Sequence, residues 1–269
     1  MMSKKIIPFL FLLLCAMYSC QEVVTINLSS IPAKVVVDGS ITNRPGPYTI
    51  RLSTSTNYFN ASTFNGLSGA RVAISDNAGN TDTLSESAPG IYLTHTLAGT
   101  IGRRYYLYIA AAGKTYTATA LLSDTVAIDS LSYTLRPPRP GSAGSSTYSL
   151  TCSFTDPPIA GNYYGFRIYQ NNVLKNDIID NRIVSDKFIN GNAQHARLRN
   201  GDLSSGDSVR VDLISFEKSA YDYYNGLRQA LNAGSPFSAP PANPPSNLSA
   251  GGAGYFGAYA ISSRSLQLH

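Results

Sequence analysis

Three histidines, His95, His195 and His269, are the side chains in this sequence suited to general-base work near neutral pH. A nucleophilic relay would set one of them beside a serine or cysteine and a carboxylate. No nucleophile-elbow motif is present, His95 falls in an alternating apolar stretch and His269 is the last residue, so no catalytic residue is assigned. Asp177, Asp180 and Asp186 gather in "NDIIDNRIVSD". Paired carboxylates are the glycosidase pattern, and a surface hydrolase built on this cluster stands as an alternative. Acids are also common at turns between strands. "SDNAGNTD" brings Asp76, Asn77, Asn80 and Asp82 together, oxygen donors of the kind calcium takes. Its spacing is not that of an EF-hand and Asn-Ala-Gly explains a hairpin turn, so no metal is assigned. The glycines of "SAGGAGYFG" follow a Pro-rich coil and precede an aromatic strand. A phosphate cradle needs a strand before it and a helix after it, so no cofactor is assigned. These glycines are expected to let the backbone pass close to a sheet or helix.

Cysteines carry the clearest chemistry. Cys152 sits in "YSLTCSF", where Tyr148, Leu150, Cys152 and Phe154 alternate onto one face, and it is expected to be a buried, inert thiol. Cys15 and Cys20 lie in "CAMYSCQEVV". Lys4 and Lys5 form a basic start, and the apolar run from Ile6 to Ala16 is shorter than the about 18 residues a spanning helix needs. Met17, Tyr18 and Ser19 before Cys20 resemble a bacterial lipobox. That resemblance implies cleavage before Cys20, a diacylglyceryl group on its thiol and an acyl chain of palmitate type on its new amine. At about 0.8 kcal/mol per buried methylene, more than one chain anchors a protein stably. Residues 1–19 then form a lipoprotein signal peptide, Cys20 is the lipidation site, and the localisation expected is the outer membrane.

Composition narrows the classes further. The formal charge of +5 falls to +3 without Lys4 and Lys5 and is spread along the chain, so no nucleic-acid partner is expected. Charged residues make up 14%, Trp is absent and Tyr numbers 18. This vocabulary favours strands and turns. With one cysteine left in the mature domain, no internal disulfide forms, and the hydrophobic core must carry the fold.

The elements that position these residues read as strands. "KVVVDGSI" puts Val35, Val37 and Ile41 on one side, and "YTIRL" does the same with Tyr48, Ile50 and Leu52. Val72 and Ile74 precede a turn at Asn77-Ala78-Gly79, and "GIYLTHTL" is expected to set Ile91, Leu93, His95 and Leu97 on one face. A second hairpin turns at Ala112-Gly113. Six or so short strands argue for an antiparallel sandwich over residues 20–122. Residues 123–269 form a second β-rich domain. It contains "AIDSLSYTL", with Leu131, Tyr133 and Leu135 alternating, a long hairpin loop at "RPPRPGSAGSST", and the strands "YSLTCSF", "YYGFRIYQ", "RIVSDKFI" and "DSVRVDLISF". Ala220, Tyr224, Leu227 and Leu231 then mark the stripe of one α-helix near 219–232, with Ser219 and Asp222 as a capping box and Gly234 as a stop. A Pro-rich coil and the closing strand "YFGAYAISS" complete the chain. The fold class is mainly β, two antiparallel sandwich units of immunoglobulin or transthyretin-like kind. Tyr105, Tyr106, Tyr108, Tyr163, Tyr164, Tyr221, Tyr223 and Tyr224 are expected mostly to pack, and no binding set is named among them.

Taken in order, "VVVDGSITNRPGPYTIRLSTSTNYF", "LSGARVAISDNAGN", "GIYLTHTLAGTIGRRYYLYIAAAGKTYTA", "SAYDYYNGL" and "NPPSNLSAGGAGYFGAYA" resemble the domain-of-unknown-function 4249 family. These are outer-membrane lipoproteins of the Bacteroidetes type, and the resemblance spans essentially the whole mature chain. The first unit is similar, less specifically, to transthyretin-like and carboxypeptidase-regulatory sandwiches. No catalytic residues are assigned to the family, so only the lipobox cysteine transfers, onto Cys20. The resemblance implies a non-enzymatic, lipid-anchored accessory or binding protein, with a TonB-dependent outer-membrane receptor as the partner; a structural or adhesive surface protein is the other alternative. Export to the surface often uses acids after the lipid cysteine, and Gln21-Glu22-Val23 has one, so cell-surface and periplasmic faces both stay open.

Overall fold

Alternating segments become strands throughout the computed structural model, which describes residues 33–55, 64–136, 147–180, 183–198, 203–232 and 242–269. The signal segment, Cys20, most of the Pro/Gly-rich loop before Thr147, and Gly234 lie outside the described residues. The first eight strands are β1 (Val35–Thr42), β2 (Thr49–Thr54), β3 (Arg71–Asp76), β4 (Thr81–Thr83), β5 (Ser85–Ala88), β6 (Ile91–Leu93), β7 (Arg104–Ala111) and β8 (Lys114–Leu121). The next six are β9 (Ile128–Arg136), β10 (Thr147–Thr155), β11 (Tyr163–Gln170), β12 (Val173–Asn176), β13 (Val184–Ser185) and β14 (Ala193–Leu198). Strand β15 (Ser208–Phe216), helix α1 (Lys218–Asn232) and β16 (Ala253–Gln267) close the chain.

One large sheet runs β12-β11-β15-β16-β1-β2-β6-β5, with β13 also on β11. Two small sheets, β4-β3-β7-β8 and β14-β10-β9, pack against it. The first sandwich core sets Ile41, Ile50, Leu52, Ile74, Leu107 and Ile109, almost fully buried, among the rings of Tyr92, Tyr105 and Phe256. The second gathers Leu150, Cys152, Phe154, Phe166, Val211 and Leu213. Each fully buried side chain of this size contributes about 1.5–3 kcal/mol. The first core runs to Leu122 and resumes with Leu248 and β16, the second begins at Val126, and β16 joins them. Residues 253–259 of β16 pair in parallel with β1, and residues 260–267 pair antiparallel with β15. At the parallel seam Gly254 has φ of 84°, and a Cβ there would stand 2.0 Å from the Val37 carbonyl oxygen. Only glycine passes that close without strain.

Three local expectations need correction. In the segment from Ile91 to Leu97 the buried residues are Tyr92, Thr94 and, as expected, Leu97, with Ile91 and Leu93 half-buried and His95 exposed. The inward places go to Tyr92, whose ring reaches the core while its hydroxyl donates to the Leu67 carbonyl, and to Thr94, which is bonded to Tyr48. "RIVSDKFI" is not a full strand; after two residues of β13 the chain turns into a short 3-10 helix, Asp186–Phe188. The capping box at Ser219 does not form. Glu217 caps α1 through its carbonyl, and Ser219 instead reaches the Tyr255 hydroxyl at 2.7 Å. Ala220 is buried as expected, but Leu231 at the far end of the stripe is 64% exposed.

Candidate functional site

The outward face of the large sheet, opposite the cores, carries a cleft beside α1. Alternation in β1 sends Val35 and Val37 into the first core and Asp38 outward. Arg51 lies opposite Asp38 on β2, and Tyr255 lies beside it on β16, so the three form one row across the sheet. Asp38 and Arg51 are exposed, and neither has an ion pair among the described residues. The neighbouring register pairs Ser40 with Gly257. A Cβ at Gly257 would fall 2.1 Å from the Tyr259 hydroxyl, so the absent side chain makes room for that phenol.

Helix α1 covers one end of this face. Its Ala220 packs with Ile178, Ile214, Phe216 and the rings of Tyr255 and Tyr259. Tyr223 stacks on Tyr255 with centroids 4.9 Å apart and planes at 23°. The Tyr224 and Tyr259 hydroxyls lie 3.0 Å apart. Pro244 and Pro245 of the coil lie so close to Gly226 of the helix that a Cβ there would stand 2.9 Å from Pro245 Cδ. On the far side of the cleft Arg167 of β11 donates from Nε to Asp177 Oδ1 at 2.6 Å.

The resulting cleft has a volume of about 600 Å³ and takes lining residues from β1, β2, β11, β12, β16 and α1. This lies within the range of pockets that take small molecules, about 300–1,000 Å³. Burial pushes the Tyr224 phenol up to about 12 and raises those of Tyr255 and Tyr259 as well. All three stay neutral at physiological pH and act as hydrogen-bonding hydroxyls on flat apolar rings. Among the described lining residues there is no histidine or cysteine. The arrangement offers ring faces, neutral hydroxyls and charged groups of both signs, which is equipment for holding a polar ligand.

The residues nominated in the sequence are dispersed. Asp177 lines the cleft in its pair with Arg167; Asp180 accepts from the Asp177 backbone N–H, and Asp186 accepts from Gly161 and Asn162 N–H groups. Asp76 accepts from Ala78 N–H, Asn80 N–H, the Asn80 side chain and Arg103 Nη1, so protein donors occupy its oxygens. Asn77 Oδ1 accepts from Arg104 N–H, and Asp82 turns instead to the segment at 95–97. Burial opposes ionisation of Asp76, but these hydrogen bonds prevail and lower its carboxyl to about 2. Among the described residues no group of three or more His, Cys, Asp or Glu is gathered for a metal. Cys152 is fully buried and burial pushes its thiol up to about 12, the inert state expected of it. His195 Nδ1 lies 2.8 Å from Ser153 Oγ on the exposed face of β10 and β14, and His269 donates its N–H to the Tyr133 hydroxyl. His95 bonds to Asp82 and to Ser85. Of the eight tyrosines singled out, Tyr223 and Tyr224 line the cleft, whereas Tyr105 and Tyr164 are core residues. Sequence reasoning missed Asp38, Arg51, Arg167, Tyr255 and Tyr259. Alternation in "KVVVDGSI" already sets Asp38 opposite the core, but the convergence of five strands and a helix has no local signal.

Comparison with known proteins adds a family and little else. The family model described as a domain of unknown function, DUF4249, matches residues 21–265. No curated protein matches the chain. Among solved structures the adhesin InvE of Yersinia pseudotuberculosis overlaps it at 16% identity, over 68% of this chain and 55% of that one, with a TM-score of 0.22. The match therefore spans little more than half of the adhesin chain, and so slight a likeness carries no argument.

Proposed function

The chain belongs to the DUF4249 family, and from that premise and the cleft we propose that it works by binding at this cleft, as a lipid-anchored protein of the outer membrane. It holds a small polar ligand against the tyrosine wall and passes it to, or receives it from, a TonB-dependent outer-membrane receptor. The observation that carries the reading is the cleft of about 600 Å³ between α1 and the large sheet, walled by stacked Tyr223 and Tyr255 and edged by Asp38 and Arg51. Its side chains stand on strands and a helix, so ordering costs on binding are small. The anchor rests on the sequence before Cys20, and no described helix is long and apolar enough to cross a membrane.

Titration calorimetry of the protein against mono- and oligosaccharides and short peptides tests the binding half. Saturable heat with one class, reduced at least about tenfold by Tyr223→Ala, supports it; no heat with any polar ligand defeats it. For the anchor, incorporation of labelled palmitate is expected and is lost in Cys20→Ser. Affinity capture of the lipoprotein from native membranes is expected to recover a β-barrel receptor, and consistent failure to do so removes the transport role.

A further inference from the structure

Away from the cleft, the first sandwich holds three side chains in a line. Asp82, in the middle of β4, is buried, and its Oδ2 accepts the backbone N–H groups of His95, Thr96 and Leu97 at 2.8, 2.7 and 2.9 Å. Its Oδ1 lies 3.1 Å from His95 Nδ1. The other ring nitrogen, Nε2, lies 2.9 Å from Ser85 Oγ at the start of β5. We infer that Ser85 is an activated nucleophile that accepts acyl groups from small activated esters, with His95 as its base and Asp82 as the positioning residue.

Hydrogen-bond inventory determines the proton positions. Burial opposes ionisation of Asp82, but its backbone donors win and hold the carboxyl below the usual range. An ionised carboxylate only accepts, so His95 Nδ1 must carry the ring proton. In the neutral imidazole Nε2 then has a free lone pair, and the Ser85 hydroxyl is the donor to it. This is the tautomer a general base needs, and roles and geometry rather than sequence position identify such a set.

The positions are held by rigid elements. A single residue, Leu84, separates β4 from β5, and its N–H is bonded to the Val72 carbonyl at 2.9 Å. Thr94, one residue before His95, is locked to Tyr48 by two hydrogen bonds, Tyr48 N–H to Oγ1 at 2.7 Å and Thr94 N–H to the Tyr48 carbonyl at 3.0 Å. Ser85 is exposed and the His95 side chain is 49% exposed, so an electrophile meets Oγ without displacing protein. None of the three residues lines the tyrosine cleft, and the inference is independent of ligand binding there.

The reaction balances with the ester and water alone. Ser85 Oγ bonds to the acyl carbon as its proton passes to His95 Nε2. The ester C–O bond breaks with its electron pair on the departing oxygen, which takes that proton from Nε2. Water, deprotonated by the same nitrogen, attacks the acyl-serine, releasing the carboxylic acid and restoring the hydroxyl. The site is open and lies among polar residues of β5, so the class it takes is small esters with good leaving groups rather than long acyl chains.

Labelling of the intact protein tests this directly. A fluorophosphonate forms an Oγ–P bond with loss of fluoride, and peptide mass mapping is expected to place the adduct on Ser85 ahead of every other exposed serine. With p-nitrophenyl acetate the same residue is expected to carry acetyl. Ser85→Ala abolishes the mapped adduct, and His95→Gln slows labelling at least about 100-fold; both positions are exposed, so unchanged circular dichroism is expected in each. Nitrogen-15 NMR of the unmodified protein is expected to find His95 as the Nδ1–H tautomer, a signal lost in Asp82→Asn together with most of the labelling rate. The inference falls if Ser85 labels no faster than other exposed serines, if His95→Gln labels at the parent rate, or if His95 carries its proton on Nε2.

Discussion

The first sandwich and the helix-covered layer beside the cleft both bury polar groups, but they satisfy them differently. In the first sandwich the carboxylates of Asp76 and Asp82, buried alongside the hydrogen-bonded phenols of Tyr48, Tyr92 and Tyr105, each take several N–H donors from tight turns. In the layer under α1 the polar groups are phenols, buried Tyr255 and Tyr259 and half-buried Tyr224, each bonded to a neighbouring hydroxyl. A buried carboxylate without several donors is costly, so it is tied to loops that supply backbone N–H groups. A phenol with one hydrogen bond leaves its ring free, so tyrosines can line a surface that is also a binding wall. The carboxylates thus lock turns in one region, while the phenols under α1 wall the cleft in the other.

Strand β16 belongs to both regions, with Phe256 in the first core and Tyr259 in the layer under α1, and its two faces offer the sharpest break. Phe256→Ala is expected to cost about 3–5 kcal/mol in urea unfolding, the range for a fully buried aromatic. Asp76→Ala, which strands Arg103 and three turn donors, is expected to cost about 1–3 kcal/mol. Tyr259→Phe, which deletes one hydroxyl contact, is expected to cost about 0.5–1.5 kcal/mol; a cost as large as that at Phe256 would erase the distinction between the faces.

Asp76 in the first region and Tyr224 in the second are also expected to lose their contributions at opposite ends of the pH scale. The Asp76 carboxyl is lowered from 3.8 to about 2 in the fold, so its contribution is complete above about pH 4 and is lost as pH falls toward 2. The Tyr224 phenol is raised from 10.0 to about 12, so its contribution is complete below about pH 10 and is lost as pH rises toward 12. Melting temperatures measured across pH should therefore show an acid arm that flattens in Asp76→Asn and an alkaline arm that flattens in Tyr224→Phe. The smallest expected effect on stability is Arg51→Ala, within about 0.5 kcal/mol because the side chain is exposed and has no ion pair among the described residues. It is nevertheless expected to weaken ligand capture in calorimetry, which separates binding from folding.

Local pattern by itself determined the mainly β class, the hairpins at 77–80 and 112–113, the buried face of β10 with Cys152, the α-helix that follows β15, and the family. Each depends on period, turn chemistry or composition, which neighbours along the chain specify. Tertiary structure decided the rest. The closing strand pairs with the first strand across more than 200 residues, and that parallel seam places Tyr255 beside Asp38. Helix α1 finds its seat on phenols rather than through a capping box, which assembles the cleft. His95 leaves the apolar face expected of it because Asp82 collects the backbone of residues 95–97 and turns the ring toward Ser85. In each case the deciding contact joins residues whose closeness is created by folding, and a one-dimensional pattern holds no record of it.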